Sequence, residues 1–389
     1  MLNVQILSLL RSFVQGTPPE KAEQLDSSFL WRCAEQQSLL PILAYQNKRW
    51  GLFDDEKLNC LLESILYGAI ANNTGRCTDF DELSAAFTQH GVRHMPVKGY
   101  YLRRVYPLPA LRNFGDIDVL IHAEDRKKSD ELLRSLGYTV DHDWEPTYSY
   151  IKGVEHYEVH TNVMDCNLDD RADLQAYFDR AWDYAEPDEG LRFAPSLDFH
   201  FIYTVCHLAK HLYTGGAGLR MYLDIALYVK CHDADLNWTV IKEEFEALHF
   251  VDFFYTVMNA SRVWFGVDTV CPLPEPDEKA LDKLLDYTLE SDLFGHSRDH
   301  SVVSLRNDSD GKVSKVKVIF NMLFPPASQI ERRYTFLQGR HWLLPIAWIK
   351  RLFANSNLIS SRVRNMKRIS EVESDDVSTY DKFMKRIGL

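Results

Sequence analysis

"LRNFGDIDVLI", residues 111–121, sets two aspartates one residue apart in an otherwise apolar run. Alternation over such a stretch predicts a half-buried strand. On a strand, residues i and i+2 face the same way, about 6.5–7 Å apart. Asp116 and Asp118 therefore point together, while Ile117, Val119 and Ile121 face the opposite side and pack on a core. Burying a carboxylate without a partner is costly, so the pair predicts an exposed strand end or a waiting cation. Two carboxylates so placed seat a hard cation such as Mg²⁺. Two such ions, roughly 3.5–4 Å apart, stabilise both attacking and leaving oxygens in phosphoryl transfer.

The flanking sequence supplies companions. Upstream, "MPVKGYYLRRVYPLPALRNFGD" reads as a short strand, then Lys98-Gly99 opening a helix, then basic residues. Gly99 permits close backbone approach, and helix N-termini attract phosphate. Lys98 and Arg112 are candidates to neutralise phosphate oxygens, Arg112 in a bidentate pair. Arg112 serves equally well as a structural partner of Asp116 or Asp118, and Lys98 as a surface lysine at the strand end. Downstream, "EDRKKSDELLRSLG" predicts an amphipathic helix closed by Gly137. "YTVDHDW", "TYSYIKG" and "EHYEVHTNV" predict three further strands. Glu158, mid-strand in the last of these, is the candidate third acid. It would bridge a metal or take a proton from an acceptor hydroxyl, or else stand as a solvated strand residue. His160 shares its face and would contact phosphate or order Glu158. Tyr148 and Tyr150 are read as packing, with a nucleobase pocket as the alternative.

Helical periodicity dominates on both sides of this unit. The expected organisation is an N-terminal helical region over 1–90, an α/β core over 91–195, a helical domain over 196–310 and a basic C-terminal segment over 311–389. Within the helical domain, His207 and His211 have metal-ligand spacing but lack the glutamate of HExxH, which favours structural or substrate-facing roles. Asp224 lies on a mostly apolar helix and is expected in a buried ion pair or a helix–helix hydrogen bond. "TGGAG", residues 214–218, lacks the Lys-Ser/Thr of a P-loop. "SRDHSVVSLRNDSDGKVSK" predicts a loop, and "EVESDDVSTYDKFMKRIGL" a partly disordered tail.

The net charge is −12, which argues against nucleic acid as a partner. That charge is uneven: residues 311–389 carry 15 Lys+Arg against 6 Asp+Glu, or +9, which leaves −21 for residues 1–310. Seven cysteines with no CxxC pair fit reduced thiols in a reducing compartment. The N-terminus lacks a basic start and a cleavage site, and no apolar run approaches the roughly 20 residues needed to span a bilayer. A soluble, cytoplasmic protein is expected.

The set "VKG … R … DIDVLI … LGY … EVH" resembles a bacterial uncharacterised nucleotidyltransferase family, within the DNA polymerase β-like superfamily. The likeness continues into "VCHLAKHLY … LRMYLDIALYV" and "LFPPASQIERRYTF … LLPIAWIKRLF". Lys98-Gly99 stands where the wider superfamily has Gly-Ser or Gly-Gly, although Lys-Gly is what the narrower family looks like. The resemblance implies an α+β chain: a polymerase β-like core sheet flanked by N-terminal and C-terminal helical regions. It implies transfer of a nucleoside monophosphate from an NTP, ATP among them, to an acceptor it does not name. Protein, sugar and small-molecule hydroxyls all qualify. Asp116, Asp118 and Glu158 match the superfamily's catalytic, metal-holding acids, with Mg²⁺ in two sites or Mn²⁺ in its place. Lys98, Gly99, Arg112 and His160 are the expected phosphate contacts. A nucleotide-binding regulatory module without catalysis and a helical interaction protein are the alternatives. Alanine at Asp118 is expected to abolish transfer and leave the fold intact.

Overall fold

The computed structural model describes residues 2–21, 25–164, 168, 171–290, 319–320, 323–330, 334–337, 339–353 and 374–389. Four helices come first: α1 (Leu2–Gln15), α2 (Ser27–Gln36), α3 (Leu40–Trp50) and the long α4 (Glu56–Gln89). Asp55 caps α4 by accepting from the backbone N–H groups of Lys57 and Leu58. The α/β unit follows: β1 (His94–Pro96), the single turn α5 (Gly99–Leu102), β2 (Ile117–Ile121) and α6 (Arg126–Ser135). Then come β3 (Thr139–Trp144), β4 (Thr147–Lys152), β5 (Glu155–His160), α7 (Leu174–Asp179), β6 (Ala185–Glu189) and β7 (Arg192–Pro195). Helices α8 (Leu197–Thr214), α9 (Leu219–His232), α10 (Trp238–Ala247), α11 (Val251–Phe265) and α12 (Glu278–Glu290) complete the body.

One mixed sheet of seven strands runs in the order β3-β4-β5-β2-β1-β7-β6. β2 lies at its centre, antiparallel to β1 and parallel to β5. All five β2 residues are buried, as a strand covered on both faces requires. Ile117, Val119 and Ile121 pack with Phe80 and Phe87 of α4 and Leu132 and Leu133 of α6. Leu120 faces the other way, into a larger core that joins α1–α3 to α8–α12 through residues such as Phe13, Leu43, Phe201 and Trp264. The helices before the sheet and those after it thus bury one another. This chain is α+β.

Two departures from the sequence reading have physical causes. The β6–β7 hairpin was not expected. Its outer strand, "AEPDE", has four exposed residues in succession and a proline, so it carries no alternation. Within the described part of the tail, a helix runs from Ser374 to Arg386. Tyr380, Phe383, Met384, Ile387 and Leu389 are buried against the main core. Arg386 makes two 2.8 Å bonds to Asp277. High charge in "EVESDDVSTYDKFMKRIGL" hid the apolar stripe at helical spacing. The predicted loop "SRDHSVVSLRNDSDGKVSK" lies outside the described residues. Deleting residues 374–389 is expected to cost on the order of 5 kcal/mol or more, at about 1.5–3 kcal/mol per buried side chain. Thermal unfolding measures it, and an unchanged midpoint would contradict the tail's place in the core.

Candidate active site

Parallel pairing of β2 with β5 sets Asp118 directly opposite Glu158, and Leu120 opposite His160. Residues in register on neighbouring strands face the same way, so the two carboxylates stand side by side. Asp118 is buried and Glu158 partly so. One ligand atom each from Asp118, Glu158 and His160 lies within 4.8 Å of the others. Asp116, just before β2, lines the adjoining cleft but does not join this group of three among the described residues.

Cations and a histidine surround Asp118. Lys98 Nζ donates to Asp118 Oδ1 at 2.6 Å, and His160 Nε2 approaches the same oxygen at 2.8 Å. An ionised carboxylate only accepts, so Nε2 carries the proton; in the neutral ring, Nδ1 then accepts from the Thr147 hydroxyl at 3.0 Å. Burial pushes the Asp118 carboxyl up, but the Lys98 ammonium and His160 outweigh it and hold it well below the ordinary range. Burial likewise works against the Lys98 ammonium, and Asp118 overrides it to keep the group charged. Glu158 is raised, by burial first and then by the neighbouring Asp118. Two close carboxylates whose environments push their pKa values apart mark a candidate functional site. In Asp118→Ala, alanine would leave a largely buried ammonium without its partner, so a loss of stability is expected too.

Lys98 itself sits at φ 46°, ψ −119°, a backbone region that non-glycine residues rarely enter. The turn carries its side chain from the end of β1 back over Asp118. Gly99 follows because of crowding. A Cβ there would lie 2.8 Å from Arg112 Nη1 and 3.3 Å from Phe114 Cβ. Gly99→Ala is expected to displace Arg112 and cost about 1–3 kcal/mol, visible as a lower unfolding midpoint; a wild-type midpoint would mean the turn relaxes freely.

Arg112 pairs with neither strand aspartate. Its Nε and Nη2 donate to Asp224 Oδ1 and Oδ2 of α9 at 2.8 and 2.9 Å, and the Tyr106 hydroxyl donates to Asp224 Oδ1 at 2.7 Å. The buried ion pair expected of Asp224 is therefore with Arg112, and it ties the sheet to the helices. Nη1 of Arg112 is buried and has no hydrogen-bond partner among the described residues. It borders a cleft of about 630 Å³ lined also by Lys98, Asp116, Asp118, Glu158 and Arg220. Arg220 donates to the Asn113 carbonyl at 2.7 Å. Burial, then the Arg112 guanidinium, lowers its pKa, partly offset by Asp224. His207 and His211 also line the cleft. Burial and then Lys98 hold His207 neutral.

His160 borders a smaller neighbouring cleft of about 210 Å³ with Thr147, Ser149, Lys210 and Glu158, and its Nε2 lies 3.6 Å from Glu158 Oε2. Arg220 and Arg76 were missed from sequence. Arg220 had a signal, one helical turn before Asp224 on the same helix. Arg76 had none, lying mid-helix in the polar part of α4; its Nη1 donates to the Gly115 carbonyl at 2.7 Å and steadies the turn before Asp116.

Paired carboxylates on the wall of a cation-lined cleft define a site suited to a polyphosphate and a hard cation. Residues 23–266 match the family model described as uncharacterised nucleotidyltransferase, and the chain belongs to that family. No curated protein matches. Among solved structures, the solution structure of the antibiotic-resistance factor ANT(2'')-Ia is similar at 14% identity and a TM-score of 0.33, over 45% of this chain and 92% of that one.

Proposed function

We propose that the protein transfers a nucleoside monophosphate from an NTP to an acceptor hydroxyl. One observation carries this: Asp118 and Glu158 stand in register at the edge of a cleft that also presents Lys98, Arg112 and Arg220. The donor set fits a magnesium ion. The hydrogen bonds described for Asp118 engage Oδ1 only, and Glu158 and Asp116 add carboxylate oxygens nearby. Asp118, Glu158 and Asp116 would hold Mg²⁺, which when bound would neutralise charge on the phosphates.

The chain's own groups account for the rest. Arg112 Nη1 and Arg220 would take phosphate oxygens, with Arg112 braced by Asp224. Lys98 would shift from Asp118 toward phosphate as the site fills. The acceptor oxygen forms a bond to the α-phosphorus, the bond to pyrophosphate breaks, and the hydroxyl proton passes to the Glu158 carboxylate. The Lys98–Asp118 ion pair favours a second reading, an NTP-binding module without transfer. Product analysis separates them: pyrophosphate release with Mg²⁺, lost by about a hundredfold or more in Glu158→Gln, supports transfer. Release of NDP would make the protein a phosphotransferase, and tight binding with no turnover across acceptors would favour the regulatory reading.

A further inference from the structure

Trp342, Ile346 and Ile349 are 77%, 47% and 56% exposed. They lie on a continuous helical stretch, the turn His341–Leu343 leading into the helix Leu344–Phe353. Their spacing of i, i+4 and i+7 places them on one face. The opposite face is already satisfied. Leu343, Leu344, Ala347 and Trp348 pack with Ile330 and Leu337 in a small core of their own. Trp348 Nε1 donates to the Pro325 carbonyl at 2.8 Å and anchors the helix there. Among the described residues, other exposed large apolar side chains such as Leu61, Val154 and Val270 sit on separate segments, which is ordinary for a surface. A stripe of three is not.

Charge indicates what covers it. Arg340 and Lys350 are exposed beside the stripe. They belong to the segment 311–389, which carries +9 on a chain whose remainder carries −21. An anionic surface attracts the two exposed cations that flank the stripe. Tryptophan beside basic residues suits the boundary between headgroups and acyl chains. Among the described residues, no helix is long and apolar enough to cross a membrane, so the helix would lie in the surface plane.

We propose that the Trp342–Ile346–Ile349 face docks the protein on an anionic lipid bilayer. The test is cosedimentation of the full chain with vesicles of phosphatidylcholine alone and of phosphatidylcholine with phosphatidylglycerol. Binding is expected with the anionic vesicles only, and it should weaken as salt rises. The variant Trp342→Ser/Ile346→Ser/Ile349→Ser is expected to lose about tenfold or more in affinity. Its unfolding midpoint should stay near wild type, because the substituted side chains point away from the small core. Arg340→Glu/Lys350→Glu keeps the apolar face and should weaken binding to the anionic vesicles as well. No binding to either vesicle, or binding untouched by both variants, would overturn the proposal. So would a concentration-dependent dimer that the serine variant dissociates, which would make a second copy the occupant.

Discussion

Asp118→Asn is expected to abolish Mg²⁺-dependent NTP binding while the protein still folds. The substitution keeps the side-chain shape and one acceptor oxygen, so Lys98 and His160 retain a hydrogen-bond partner. It removes the charge that neutralises Lys98 and would draw a cation. Loss of one charged partner in a hydrogen-bonded pair costs about 1–3 kcal/mol, a drop in midpoint that leaves the native state populated. The effect on ligand is larger, because a neutral amide is a poor oxygen donor to a hard cation and leaves the cleft more positive. Titration calorimetry on wild type and variant, each at several Mg²⁺ concentrations, reads the difference. Undiminished Mg²⁺-dependent binding in the variant would remove Asp118 from the metal site.

Asp224→Ala is expected to be the most destabilising single substitution at the site. Asp224 is 3% exposed and holds Arg112 by two bonds, with Tyr106 as a third donor. Removing it strands a buried guanidinium and a buried hydroxyl. Breaking such a pair from one side costs about 3–5 kcal/mol, a fall in unfolding midpoint of roughly 10 °C. The consequence reaches the cleft, because Arg112 presents Nη1 there only while Nε and Nη2 are fixed. NTP affinity should therefore fall in Asp224→Asn as well, where the shape is kept and the pairing weakened. A midpoint within a degree or so of wild type would show that Arg112 finds another partner and that the brace is dispensable.

Much of the site was legible because it is local. "DIDVLI" announces its strand, and the alternation assigns Ile117, Val119 and Ile121 to one face, where they are found. The spacing around the strand, and the likeness at "VKG" and "EVH", singled out Lys98, Gly99 and Glu158, and the sheet brings Lys98 and Glu158 to Asp118. Strand register was not legible. Nothing in "EVH" dictates that Glu158 rather than a neighbour stands opposite Asp118, since a one-residue slip would turn every side chain over. The partner of Arg112 was hidden for a different reason: Asp224 is 112 residues away, on a helix packed against the sheet only in the folded state. The β6–β7 hairpin has no alternation to read, and its place is set by β1 beside it. The tail helix has an apolar stripe, but its many charges masked it.

The central claim is that the cleft beside Asp118 and Glu158 takes an NTP together with Mg²⁺. Calorimetric titration of the wild-type chain with each of the four NTPs, in Mg²⁺ and in excess chelator, tests it most directly. The account predicts saturable one-to-one binding of at least one NTP that requires Mg²⁺. Absence of binding by all four in Mg²⁺, or equal binding in chelator, would contradict it.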